Sequence, residues 1–157
     1  MSGGKDYVKR NAMNNSDDQT QASHDRLEGY AIYKIACELF DKFWDDSEIM
    51  LKDVRGRELV KQQVRSLDSV CANIEEGYGR GFGKELPQHL KIARGEARES
   101  SGRYKRCKHL LPEKTISERV DSLNRIIGGL AKTIRTIETR RTTERIPSPA
   151  TRHSSPQ

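Results

Sequence analysis

The 157-residue sequence predicts an all-α fold, an antiparallel up-down four-helix bundle over residues 26–141 between disordered tails at 1–25 and 142–157. Three observations carry this expectation. Four segments place apolar residues every three or four positions, the spacing that gathers them on one face of a helix. A turn with glycine at every second position, Gly77, Gly79, Gly81 and Gly83, separates the middle two segments, and glycine lets a chain reverse wherever positive φ is needed. Residues 1–25, rich in Asn, Asp, Ser, Gln and Gly, and residues 142–157, with three prolines among Ser and Thr, have no apolar period with which to bury a core.

The first helix is expected at about residues 27–44, with Ile32, Ile35, Leu39, Phe40 and Phe43 inward. The second, about 56–76, carries Val60, Val64, Leu67, Cys71 and Ile74 at spacings of four, three, four and three. The third, about 84–110, continues with Leu86, Leu90, Ala93, Ala97, Tyr104 and Leu111. Pro87 falls in its first turn, where a missing amide hydrogen does no harm, and Pro112 is expected to end it. The fourth, about 115–140, has the cleanest pattern. Ile116, Val120, Leu123, Ile127, Leu130, Ile134 and Ile137 step by four and three without a miss, as in a bundle or coiled-coil seam, and Ile126 beside them widens the apolar face.

Residues 62–99 also carry a recognisable succession of motifs. Gln63, Val64 and Arg65, then Ser69, Val70, Asn73, Ile74, Glu76, Gly77, Gly79 and Arg80, then Leu90, Ile92, Ala93, Arg94, Gly95 and Glu99 follow the patterns Q-L-R-R-A, S-I-P-x-N-I-A-E-G-x-G-R and L-x-I-A-x-G-S-x-x-E. A weaker match, I-Y-K-x-A-x-x-L, lies at Ile32, Tyr33, Lys34, Ala36 and Leu39. Over residues 27–140 the chain therefore resembles the small bacterial four-helix-bundle proteins encoded by intervening sequences in large-subunit ribosomal RNA genes, and the related accessory variability determinants of diversity-generating retroelements. It departs from the pattern at Cys71, where proline is usual, at Glu75 for a small residue, at Ser66 for arginine and at Glu96 for serine. The resemblance implies a homopentameric barrel of four-helix protomers that binds nucleic acid and partners with a reverse transcriptase.

The residues give catalysis little to work with. The turn contains G-x-G, but it follows a helix instead of a strand and has no Gly-Lys-Ser or Gly-Lys-Thr to cradle a nucleotide. His24, His89, His109 and His153 are not paired at ligand spacing, and the E-x-x-H pattern of di-metal bundles is absent. Glu75, Glu76 and Glu99 are the one candidate carboxylate cluster, whereas Asn73 and Glu76 read better as groups that close the end of the second helix. Cys37, Cys71 and Cys107 are odd in number and far apart, which argues against a disulfide framework or a tetrahedral metal site and for small buried hydrophobes. A non-enzyme without cofactor or metal is expected. With no run of about 18 apolar residues and no apolar core near the N-terminus, the expected location is the cytoplasm, away from membranes.

Charge points to a partner. Residues 26–79 hold eight Lys or Arg against eleven Asp or Glu, whereas residues 80–141 hold sixteen against seven, a surplus of nine. On the third helix Lys84, Lys91, Arg94, Arg98 and Lys105 fall within about 80 degrees of one another, with Glu85, Glu96 and Glu99 on another flank. A row of cations along a rigid rod suits a phosphate backbone, because each contact releases a condensed counterion. Arg80, between Tyr78 and Phe82 in the glycine turn, could add stacking on unpaired bases. Two readings follow: a non-catalytic module whose third and fourth helices hold structured RNA or an RNA and DNA hybrid, or a structural scaffold oligomer whose charge only solvates it.

Overall fold

A computed structural model describes residues 27–81 and 83–144. Four helices account for most of them: α1 Ala31–Met50, α2 Gly56–Gly79, α3 Glu85–Arg106 and α4 Glu113–Glu144. Each packs on its sequence neighbours, α1 closes the ring against α4, and the diagonal pairs do not meet at the level of Cα atoms. The directions alternate. Tyr30, just before α1, stacks on Tyr78 near the end of α2 with ring centroids 5.2 Å apart. Gln63 early in α2 reaches Ser100 late in α3, and Lys91 early in α3 reaches Glu138 late in α4. The expected antiparallel up-down bundle is thus the observed one. No described helix is long and apolar enough to cross a membrane.

The helix limits differ from expectation where polar residues obscure the pattern. α1 runs six residues past residue 44 because Asp46, Ser47 and Met50 are buried; two of these read as solvent-facing in the sequence. α3 stops at Arg106, well before Pro112, and the amides of Leu110 and Leu111 close the turn on the Cys107 carbonyl. Pro112 instead opens α4, its carbonyl accepting the Ile116 amide. Thr142–Glu144, assigned above to the C-terminal tail, continue α4. The disorder expected of 1–25 and of the remainder of that tail lies outside the described residues.

The core is continuous from α1 to α4. Leu86, Leu90, Ala93, Ala97, Tyr104 and Leu111 are all buried as the spacing predicts. On α4 the inward stripe is rotated slightly: Leu123, Ile126, Leu130 and Ile134 are buried, while Ile116, Val120, Ile127 and Ile137 pack against that core half-buried. Ile126 therefore lies at the centre of the face that the four-three count assigned to Ile127. A similar rotation on α2 buries Val70 and leaves Val64 and Cys71 half-buried. Two glycines permit close approach. A Cβ on Gly77 would crowd Leu86 and His89 where α2 meets α3, and one on Gly129 would overlap Ile32 across the α1–α4 interface. Of the glycine turn, only Gly81 adopts a positive φ, of 80°.

One buried polar cluster crosses the apolar interior. The Asp46 carboxylate, 2% exposed, accepts the Tyr104 hydroxyl at 2.8 Å and two bonds from the Arg119 guanidinium, Nε at 2.9 Å and Nη2 at 3.1 Å. Burial first, and the Asp46 charge second, push the Tyr104 hydroxyl well above its ordinary pKa, so it stays protonated and donates. α1, α3 and α4 are joined at one point. Arg119→Met is expected to destabilise the fold by about 3 to 5 kcal/mol in denaturant unfolding, because it strands a buried carboxylate. Leu123→Ala and Ile126→Ala should each cost about 2 to 5 kcal/mol, and Ile127→Ala, at a half-buried position, less than either in the same measurement.

Candidate nucleic-acid interface

The basic stripe of α3 lies on the flank that meets α4. Lys91 fixes the orientation, since its Nζ is 2.7 Å from Glu138 Oε1. Arg94, Arg98 and Lys105 follow Lys91 on the same side at steps of three, four and seven residues. Arg98 and Lys105 are exposed and Arg94 is half-buried, and none of the three has an ion-pair partner among the described residues. Lys84 is equally exposed and unpaired at the N-cap of α3. From α4, Arg135 lies one helical turn before Glu138 on the same flank. The stripe is thus continued across the α3–α4 junction, with Lys91 neutralised.

Shallow grooves border this face. One of about 420 Å³ at the α3–α4 turn is lined by Lys105, Lys108, Glu113 and Ile116. Another, about 310 Å³, lies between Tyr78, Leu86, Lys132 and Arg140. A third, about 480 Å³, runs along the end of α4 past Arg135, Thr139, Arg140 and Glu144. All three have Lys or Arg at the rim. They can hold an anion at the surface and enclose nothing.

The glycine turn does less than its sequence suggests. Tyr78 is only 9% exposed, and its ring is already packed on Tyr30, so it offers no stacking face to a base. Arg80 caps α2 with its guanidinium engaged by Glu76 and, at 3.3 Å, by Glu85. The Arg80 bonds hold the Glu76 carboxyl below its usual pKa range. Both side chains thus have a structural role, sealing the α2–α3 end of the bundle, with the Tyr78 ring covered and the Arg80 guanidinium still half-exposed. Phe82 lies outside the described residues. Gly77, expected in the turn, lies instead inside α2, where a Cβ would crowd Leu86 and His89.

The candidate carboxylate cluster does not form. Glu75 accepts the Tyr33 hydroxyl at 2.7 Å, Glu76 holds Arg80, and Glu99 holds Arg103 at 3.1 Å. Asn73 bonds the preceding turn, through Ser69 O at 2.9 Å, and meets His89 Nδ1 at 3.3 Å. Among the described residues no group of three or more His, Cys, Asp or Glu could hold a metal ion. Cys107 is buried as expected, but Cys37 and Cys71 are half-buried.

The model of the 23S rRNA-intervening sequence protein family matches residues 28–134, a span that takes in the start of α1, the glycine turn, the whole of α3 and most of α4. The chain belongs to that family. No curated protein and no solved structure matches it. The matched span contains every residue of the α3 stripe and ends just before Arg135.

The sealed end gives the family domain an alkaline limit. Burial raises the hydroxyls of Tyr30 and Tyr78, the latter to about 12 from an ordinary 10.0. Above pH 10 the unfolded chain has lost these protons while the bundle still holds them, so the folded state binds more protons and stability falls with rising pH. Helix content followed with tyrosinate absorbance is expected to show stability flat below pH 10 with respect to these groups and declining from pH 10 to about 12, and Tyr78→Phe should make that decline shallower.

Proposed function

We propose that this 23S rRNA-intervening sequence family member is a non-catalytic nucleic-acid-binding accessory protein that grips structured RNA, or an RNA and DNA hybrid, along the α3–α4 face. The observation that carries the reading is the set of unpaired cations Lys84, Arg94, Arg98 and Lys105 on one flank of a rigid helix, beside Arg135 of α4. Fixed cations in a row match a phosphate backbone and bind it without reading bases. The grooves are rimmed with Lys and Arg and too shallow to enclose a small substrate, which favours a long anionic partner.

Assembly and service to an enzyme complete the proposal. The resemblance to retroelement accessory determinants supports a homopentamer whose basic faces repeat around the ring, and a reverse transcriptase as the enzyme it assists. Trp44, Leu51 and Val54, 57%, 48% and 74% exposed near the α1–α2 turn, are the side chains that copies would cover. The scaffold reading draws its support from Lys91 and Arg80, whose charges are spent on Glu138, Glu76 and Glu85.

Reversing Arg94, Arg98 and Lys105 together to glutamate is the deciding experiment. In low salt the variant should lose RNA affinity by roughly 100-fold or more, while the parent's affinity should fall steeply as salt rises. Single changes to alanine should weaken binding about equally for different RNA sequences. Circular dichroism and sedimentation should show helix content and oligomeric state unchanged. A triple variant that binds RNA as the parent does would leave the scaffold reading standing.

A further inference from the structure

Two of the three cysteines, far apart in sequence, face each other across the α1–α2 interface. The register of these antiparallel helices is fixed by two observed contacts. Tyr30 stacks on Tyr78 at 5.2 Å, and three residues further along α1, three back along α2, Tyr33 donates to Glu75 at 2.7 Å. Four residues on from Tyr33 and four back from Glu75 are Cys37 and Cys71, one helical turn along the same facing rows. The thiols of Cys37 and Cys71 lie within hydrogen-bonding reach of each other, and a disulfide needs roughly 4.4 to 6.8 Å between Cα atoms. Both thiols are free and half-buried, so a small oxidant can reach them, whereas Cys107 is buried at 2% exposure. Cys71 also stands where the family pattern has proline, so this pair is a property of the chain beyond its family frame.

We propose that Cys37 and Cys71 form a peroxide-oxidisable dithiol whose disulfide straps α1 to α2. The chemistry balances with hydrogen peroxide as oxidant. One oxygen of the peroxide is transferred to the Cys37 sulfur, giving a sulfenic acid and one water as the O–O bond breaks. The Cys71 sulfur then attacks Cys37, the S–S bond forms, and the hydroxyl leaves with the Cys71 proton as a second water. Two thiols lose two electrons and the peroxide gains them. Burial first, then the neighbouring Cys37 thiol and the Glu75 and Asp68 carboxylates, hold the Cys71 proton well above its ordinary range. The strap would fix the α1–α2 pair, the half of the bundle away from the basic face.

The test uses the full chain, reduced, treated with hydrogen peroxide and digested with trypsin without reductant. The expected product has lost the mass of two hydrogen atoms and joins peptide 35–42 to peptide 66–80. Dithiothreitol should restore the parent mass, and the thermal midpoint should rise on oxidation and return on reduction. Cys37→Ser and Cys71→Ser should each abolish the joined peptides, and Cys107→Ser should keep them. Free thiols at both positions after peroxide, a bond to Cys107, cross-linked chains, or oxygen addition at Cys37 without a bond would each overturn the proposal.

Discussion

A carboxylate that has left water must be answered by charge and hydrogen bonds, and in this bundle that demand falls on Asp46. Its partners come from two other helices, Tyr104 of α3 and Arg119 of α4, and the Tyr104 bond spans a diagonal across which no Cα atoms meet. An apolar stripe tolerates rotation or a slide of one turn, since leucine packs on leucine either way. A bidentate guanidinium does not. The pairing sets the rotation of α1: with Asp46 inward, Leu39, Phe43 and Met50 share its face and Trp44 is left outside. It also joins the ends of α1 and α3 to the start of α4, where the chain turns at residues 107–112.

The opposite end is held by different means. There Tyr30 stacks on Tyr78 and reaches Thr133 at 2.9 Å, which ties the entrance of α1 to the end of α2 and the last third of α4. Between the two ends the α2–α3 interface is laced by polar pairs, Gln63 to Ser100 at 2.8 Å and Arg103 to Ser66 at 2.7 Å. Ser100 sits in a run of α3 that also buries Ala93, Ala97 and Ser101, and small residues let two helices approach closely. The glycine turn that joins α2 to α3 can then be tight, with Arg80 clamped between Glu76 before it and Glu85 after it.

Much of this was legible in the sequence because helical periodicity reports burial directly. The four helices, their order and most of α3 and α4 follow from spacing alone. The misses share one cause. Asp46 and Ser47 look like solvent-facing residues, so the pattern of α1 ends early; the residue that makes Asp46 tolerable inside, Arg119, is 73 positions away. Tyr78 looks like an exposed ring beside glycines, but Tyr30, outside the expected inward set, covers it. Cys37 and Cys71 read as unrelated until the α1–α2 register places them opposite each other. A count of three and four also cannot choose between Ile126 and Ile127, since either follows Leu123 at an allowed step, and only the packed bundle shows Ile126 inward.

The same logic explains why part of the α3 stripe has no ion-pair partner among the described residues. A cation on a helix flank is neutralised when the facing helix offers an acid at the matching level, as Glu138 does for Lys91. Stepping back along α4 from Glu138 at helical spacing gives Arg135, Ala131, Ile127, Asn124 and Val120 on the flank turned toward α3. None can carry a negative charge. Arg94 and Arg98 therefore have no acid at their level on this row, Lys105 shares its groove with Glu113, and the repulsion among the three cations is relieved mainly by solvent and counterions. Acids at Asn124 or Ala131 would have made an ordinary salt-bridged bundle with the same core. The sequence instead places most of its acids in the α1–α2 half, which leaves the repulsion along α3 to be screened by counterions.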